Sequence, residues 1–123
     1  MPPRRPGPLP VIVLPRLRLL KGTVIVLGPG KADLLEAIGQ AGSIRGAATA
    51  LGMSYMRAWS LVRVMNSAFR RPLVQSVRGG SGHGGAVVTP TGKRIVALYR
   101  EMEAAALDAM GPGLARLRRD LCG

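Results

Sequence analysis

Hydrophobic positions along the chain follow two periods, and the switches between them mark out its elements. From Val11 to Leu27 the pattern is extended. Val11 to Leu14 and Thr23 to Leu27 are rich in β-branched residues, and Leu17, Leu19 and Leu20 roughly alternate with Arg16, Arg18 and Lys21. That predicts a half-buried strand, broken by Gly28-Pro29-Gly30. The spacing then lengthens to threes and fours. Lys31 to Gln40 sets Leu34, Leu35 and Ile38 on one helical face, with Asp33 and Glu36 near the positive end of the helix dipole. Gly42 stops this helix. Ser43 caps a second, short one with Ile44, Ala47, Ala48 and Leu51 inward, and Gly52 ends it. Ser54 caps a third, longer helix with Trp59, Val62, Met65 and Phe69 inward, and Pro72 ends that.

Leu73 to Val77 reads as a strand and Ala86 to Val88 as its return, joined by a loop holding Gly79, Gly80, Gly82, Gly84 and Gly85. Thr89 caps a last helix with Pro90 at its first position. It is expected to stop near Met110, before Gly111-Pro112-Gly113. Within it Ile95, Leu98, Met102, Ala105 and Ala109 form a narrow apolar stripe, the pattern of a helix–helix seam. The order is strand, three helices, two strands, helix. This predicts a mainly α fold with a small β-wing: a winged helix-turn-helix with a long C-terminal dimerisation helix. The expected division is a disordered Pro/Arg tail over 1–10, the winged domain over 11–90, the dimerisation helix over 91–110 and a short tail over 111–123.

Composition adds exclusions. Apolar residues make up 47% of the 123 residues, enough for a folded domain, while aromatics are 3%, so the core is aliphatic. One cysteine, Cys122, excludes an internal disulfide framework, and one histidine with one cysteine is too few for a zinc site without distant carboxylates. No apolar run is long enough to span a membrane. Arg4 and Arg5 precede a short apolar run, Leu9 to Leu14, but Pro10 and Pro15 break it and no cleavage site follows, so no signal peptide is expected. The expected location is cytoplasmic and nucleoid-associated.

Charge points to the partner. Lys and Arg number 18 against 6 acids, a formal charge of +12. From Ala37 to Arg100 there is no acid, yet nine basic residues: Arg45, Arg57, Arg63, Arg70, Arg71, Arg78, Lys93, Arg94 and Arg100. A solvated surface mixes both signs, so an acid-free stretch of this length fits a polyanionic partner, nucleic acid above all. The second and third helices lie inside it. Ala47 and Ala48 are the small residues two crossing helices need, Gly52 sits where the turn needs a positive φ, and Met53, Ala58 and Leu61 fall at inward offsets. The outward positions of the third helix are then Ser54, Tyr55, Met56, Arg57, Ser60 and Arg63. Arg57 is the candidate for a bidentate guanine contact, with Ser54, Ser60 and Tyr55 available to phosphate or base. Arg45 on the second helix and Arg78, Ser81 and His83 on the wing complete the candidate DNA-binding set. Ser54 is equally an N-cap, Tyr55 a packing residue and Arg63 a solvated arginine.

Catalytic readings find little footing. Gly80-x-Gly82-x-x-Gly85 matches a dinucleotide fingerprint literally, but a strand and Pro90 follow it where a helix is required. His83 has no carboxylate or nucleophile partner in the sequence, and no paired carboxylates occupy the middle of the chain. No enzyme activity and no cofactor are expected.

One resemblance is specific. Leu34-Leu35-Glu36-Ala37-Ile38, Gly42-Ser43-Ile44, Ala47-Ala48, Gly52-Met53-Ser54-Tyr55, Ala58-Trp59 and Met65-Asn66, then Pro72-Leu73-Val74, Gly79 to Ala86 and Val88-Thr89-Pro90-Thr91-Gly92, resemble the N-terminal DNA-binding domain of ModE, the molybdate-responsive regulator. The similarity covers about residues 16–110. The LysR-type helix-turn-helix is a more distant likeness, through Gly-Ser-Ile and Thr-Pro-x-Gly. The resemblance implies a homodimer on a palindromic operator, joined through the last helix, with the third helix and wing on DNA. It carries roles to Ser54 and Tyr55, to Trp59 as core, and to Arg57 by position alone. The family's molybdate-binding domains follow that helix, whereas only Gly111 to Gly123 remain here, so molybdate sensing by this chain is not implied. The expected function is a sequence-specific, stand-alone transcriptional regulator on double-stranded DNA, with no membrane partner and no evident effector. The alternatives are a nonspecific architectural nucleic-acid binder and a heterodimer partner of a full-length regulator.

Overall fold

The computed structural model describes residues 9–78 and 84–122. The elements in chain order are β1 (Leu19–Lys21), β2 (Val24–Leu27), α1 (Pro29–Ala41), α2 (Ile44–Leu51), α3 (Tyr55–Ala68), β3 (Val74–Arg78), β4 (Gly84–Val88) and α4 (Pro90–Arg118). The mainly helical winged helix-turn-helix expected from the sequence is the fold observed.

The first extended region is a hairpin, where one strand was expected. β1 and β2 pair antiparallel, with Lys21 opposite Val24. Gly22 takes φ +64 and reverses the chain there, a conformation that favours glycine. Before it, residues 9–18 form no regular element but are tied to α4. The Tyr99 hydroxyl donates to the Leu17 carbonyl at 2.9 Å, and Arg118 donates to the Val11 carbonyl at 2.7 Å. The segment therefore runs antiparallel to that helix.

Helix starts follow their caps. Ser43 accepts from the Gly46 amide, Ser54 from the Arg57 amide and Thr89 from the Gly92 amide. Each satisfies a first-turn donor that the helix itself leaves open. α1 has no side-chain cap and begins instead with Pro29 after an extended Gly28. Leu34, Leu35, Ile38, Ala47, Ala48, Ala58, Val62, Met65, Leu73, Val74, Ala86 and Val88 pack into one aliphatic core. Two inward expectations fail. Leu51 and Trp59 are each 38% exposed. Leu51 is the last residue of its short helix, beyond the reach of the core. Trp59 lies about 100° around α3 from the buried Ala58, on the flank that meets the wing.

The wing is a β3–β4 hairpin pinned at both sides. Asn66 of α3 accepts from the Leu73 and Val74 amides at 2.8 and 3.2 Å and donates to the Val74 carbonyl at 3.0 Å. The Ala86 amide of β4 donates to the Gly42 carbonyl at 2.9 Å, tying the wing to the α1–α2 turn. Gly92 of α4 passes the residue before β3 so closely that a Cβ there would collide with the Leu73 carbonyl oxygen and lie 2.7 Å from Val88 Cγ1 of β4.

α4 does not stop at Gly111. It continues through Pro112 to Arg118, 29 residues in all. Proline removes one backbone hydrogen bond and crowds the preceding turn. Here its neighbours Gly111 and Gly113 add no side-chain crowding, good helix formers (Leu114, Ala115, Leu117) follow, and Arg118 is bonded to the N-terminal segment.

Candidate nucleic-acid interface

The α2–α3 pair carries the site. Gly52 closes the turn at φ +68, with its amide on the Ala48 and Thr49 carbonyls. This leaves the N-terminal end of α3 exposed: Ser54, Tyr55, Met56 and Arg57 all face solvent. Ser54 spends its oxygen as the N-cap, and the Ser60 hydroxyl donates back to the Met56 carbonyl at 2.9 Å. Both can still take part in a further bond. Met56 is uncommitted and lies on the outer face beside Ser60 and Arg63.

Four side chains meet in one cleft between the helix pair and the wing. Arg45, Tyr55, Trp59 and Arg78 line a space of about 640 Å³ with Ser76 and the start of β4. The guanidinium of Arg45 stacks over the Tyr55 ring at 4.6 Å, and that of Arg63 over Trp59 at 4.9 Å. A guanidinium held over a ring still has N–H groups with which to bond an anion. Trp59, expected in the core, thus belongs to the site. Ser81 and His83 lie outside the described residues.

The electrostatics divide the molecule. Among the described residues every ion pair gathers on Arg100. It binds Asp33 of α1 at 2.7 Å, Glu103 of α4 at 2.8 Å, and Glu36 of α1. The hydrogen bonds to Glu36 and Glu103 hold its guanidinium firmly charged, well above the usual arginine range. Three of the six acids are thereby neutralised far along the chain from α3. Arg45, Arg57, Arg63 and Arg78 have no carboxylate partner among the described residues. Lys31 at the start of α1 joins this positive side, a residue the sequence reading missed. Burial pushes its ammonium below the ordinary lysine range, and the Arg57 charge adds to that.

On α4, Ile95 is half-buried against the core, so it belongs to the head of the molecule more than to a seam. Leu98 and Met102 are 47% and 57% exposed, and Ala105 and Ala109 are also exposed. Among the described residues no group of His, Cys, Asp and Glu could hold a metal, and no helix is long and apolar enough to cross a membrane.

No protein-family model matches the chain. Individual relatives do. The chain is 42% identical over 86 residues to the molybdenum-pterin-binding protein MopB of Rhodobacter capsulatus, covering 70% of this chain and 32% of that protein. It is 41% identical over 90 residues to the molybdenum transport protein ModE of Azotobacter vinelandii, 73% of this chain and 33% of ModE. Against the DNA-binding transcriptional dual regulator ModE of Escherichia coli K12 it is 41% identical over 71 residues. The chain carries a ModE-like winged helix-turn-helix region. That region accounts for about a third of the length of the ModE and Mop proteins it matches. Among solved structures, the full-length LysR-type regulator LysG of Corynebacterium glutamicum superposes on this chain with a TM-score of 0.53 at 25% identity. The alignment covers 74% of this chain and 29% of LysG.

Proposed function

We propose that this chain is a DNA-binding transcriptional regulator rather than an enzyme. It reads operator DNA sequence-specifically as a homodimer, acting through its ModE-like region in the cytoplasm and nucleoid. The observation that carries the proposal is the set of arginines on the α2–α3–wing face, Arg45 and Arg63 each over an aromatic ring and none with a carboxylate partner among the described residues. The names of the relatives, regulators among them, support the same reading. Arg57 at the exposed N-terminal end of α3 is the proposed base-reading residue. Arg45, Tyr55, Arg63 and Arg78, with Ser54, Ser60, Met56, Ser81 and His83, supply positioning contacts. Leu98, Met102, Ala105 and Ala109 of α4, with the upper end at Ile95, form the dimer seam, so that residues 91–110 join two winged heads over 11–90. Two recognition helices then sit about 34 Å apart, one turn of DNA. No cofactor takes part in this mechanism.

Selection from a random duplex library at about 150 mM salt, a physiological condition, tests the proposal. Recovery of an inverted repeat is expected. Binding without an enriched motif replaces it with a nonspecific architectural role. Binding that appears only when a full-length ModE is added replaces the homodimer with a heterodimer.

A further inference from the structure

An α-helix seated in the major groove has a sugar–phosphate strand on each side of it. α3 has a β-hairpin on each side. The β3–β4 wing flanks Tyr55 and Trp59, and the β1–β2 hairpin flanks Val64 and Ala68. Trp59 and Val64 stand about 140° apart around the helix axis. Between the β1–β2 hairpin and α3 runs an open groove of about 550 Å³, whose lining includes Lys21, Val24, Ser60, Arg63, Val64 and Ser67. Lys21 reaches it from the hairpin turn, next to Gly22, and Arg63 from α3; both are exposed and neither pairs with an acid among the described residues. Arg63 also stacks on Trp59, so it stands between this groove and the wing cleft.

We infer that the β1–β2 hairpin is a second wing, and that Lys21 binds a DNA phosphate on the strand opposite the one the β3–β4 wing follows. The inference rests on the DNA-binding reading above. Charge complementarity selects the occupant. Two cations and two hydroxyls rim an aliphatic floor of Val24, Val26 and Val64, and a deoxyribose phosphate offers an anion beside an apolar sugar. A purely apolar occupant would leave the ammonium and guanidinium unmatched. A phosphate contact fixes position and carries no sequence information, so its loss weakens all duplexes alike.

The test is a binding titration over a salt series, with the selected duplex and a scrambled one. The wild-type chain is compared with Lys21→Gln, Lys21→Arg and Arg119→Gln. Arg119 follows α4, a helix of 29 residues or about 43 Å, and controls for net charge alone. Lys21→Gln is expected to weaken both duplexes about fivefold at 0.15 M salt and to reduce the slope of log K against log salt by about 1. Lys21→Arg should keep the wild-type slope, and Arg119→Gln should leave both values unchanged. A second variant, Val24→Glu, sets a carboxylate opposite Lys21 in the strand pair and should weaken binding at least as much with the lysine in place. Circular dichroism confirms that each variant is folded. Wild-type values for folded Lys21→Gln and Val24→Glu would overturn the inference, as would a loss confined to one base position. Wild-type protein that binds no duplex would overturn the DNA-binding reading itself, a separate outcome.

Discussion

α3 and α4 are both long, and both leave a face uncovered, but the two faces differ in kind. The open face of α3 carries Met56, Arg57, Ser60 and Arg63, with Arg45 and Arg78 nearby. That of α4 carries Leu98, Met102, Ala105 and Ala109. The first desolvates poorly and attracts anions. The second gains from burial at roughly 25 cal/mol per Å² of apolar surface. The acids follow the same division, with Asp33, Glu36 and Glu103 locked on Arg100 where α1 meets α4. Under the proposed function α3 meets a polyanion and α4 an apolar partner. On the proposed reading each face has its own occupant, so each should fail independently.

The joint between head and α4 is where a single change should do most harm. Gly92→Ala drives a methyl into the Leu73 carbonyl, and backbone cannot yield as a side-chain tip does. A loss of about 3 kcal/mol is expected in urea unfolding, damaging both faces together. Asn66→Ala removes three hydrogen bonds that hold the wing to α3 and leaves the Leu73 and Val74 amides unpaired. About 2 kcal/mol of stability should go, and amide exchange should quicken in β3 more than in α4. Arg57→Ala should leave stability within about 0.5 kcal/mol, as an exposed substitution. It should cost roughly 1–3 kcal/mol of affinity, concentrated at one base position.

The smallest effect concerns Lys31. Its ammonium sits below the ordinary value near 10.5, so between the two values the folded chain holds fewer protons than the unfolded one. Stability should therefore rise slightly with pH across that window, because the unfolded state binds more protons there. Lys31→Gln should flatten the rise, measured as melting temperature against pH. Arg57→Ala should reduce it only in part, because burial is the larger cause.

Local signals made most of the fold legible. Ser43, Ser54, Thr89 and the positive-φ turns at Gly42 and Gly52 mark helix boundaries within a few residues of themselves, and the structure follows them. What escaped depends on distant neighbours. Trp59 reads as core by helical spacing, but the wing residues that line its cleft, Ser76 to Arg78 and Gly84 to Ala86, come from further along the chain. The Arg100 cluster joins residues 64 and 67 positions apart. Gly22 is a turn only because Val24 to Leu27 fold back on Leu19 to Lys21. Pro112 reads as a stop, whereas a helix already propagated from Pro90 absorbs one missing bond. Among the candidate site residues, Arg45, Tyr55 and Arg78 come together in the cleft, while Ser54 and Ser60 are already engaged with their own helix.

The separation of the two faces is tested most directly by Met102→Glu, which places a charge in the α4 stripe and leaves α3 untouched. Sedimentation equilibrium with the selected duplex, and with one half of it, reads the outcome. Two wild-type chains should bind each full duplex. The variant should be folded and monomeric, still binding the half-site at near wild-type strength but losing the tight full-site complex, roughly 10²-fold by effective concentration. A variant that stays dimeric, or one that is folded yet no longer binds the half-site, would contradict that separation.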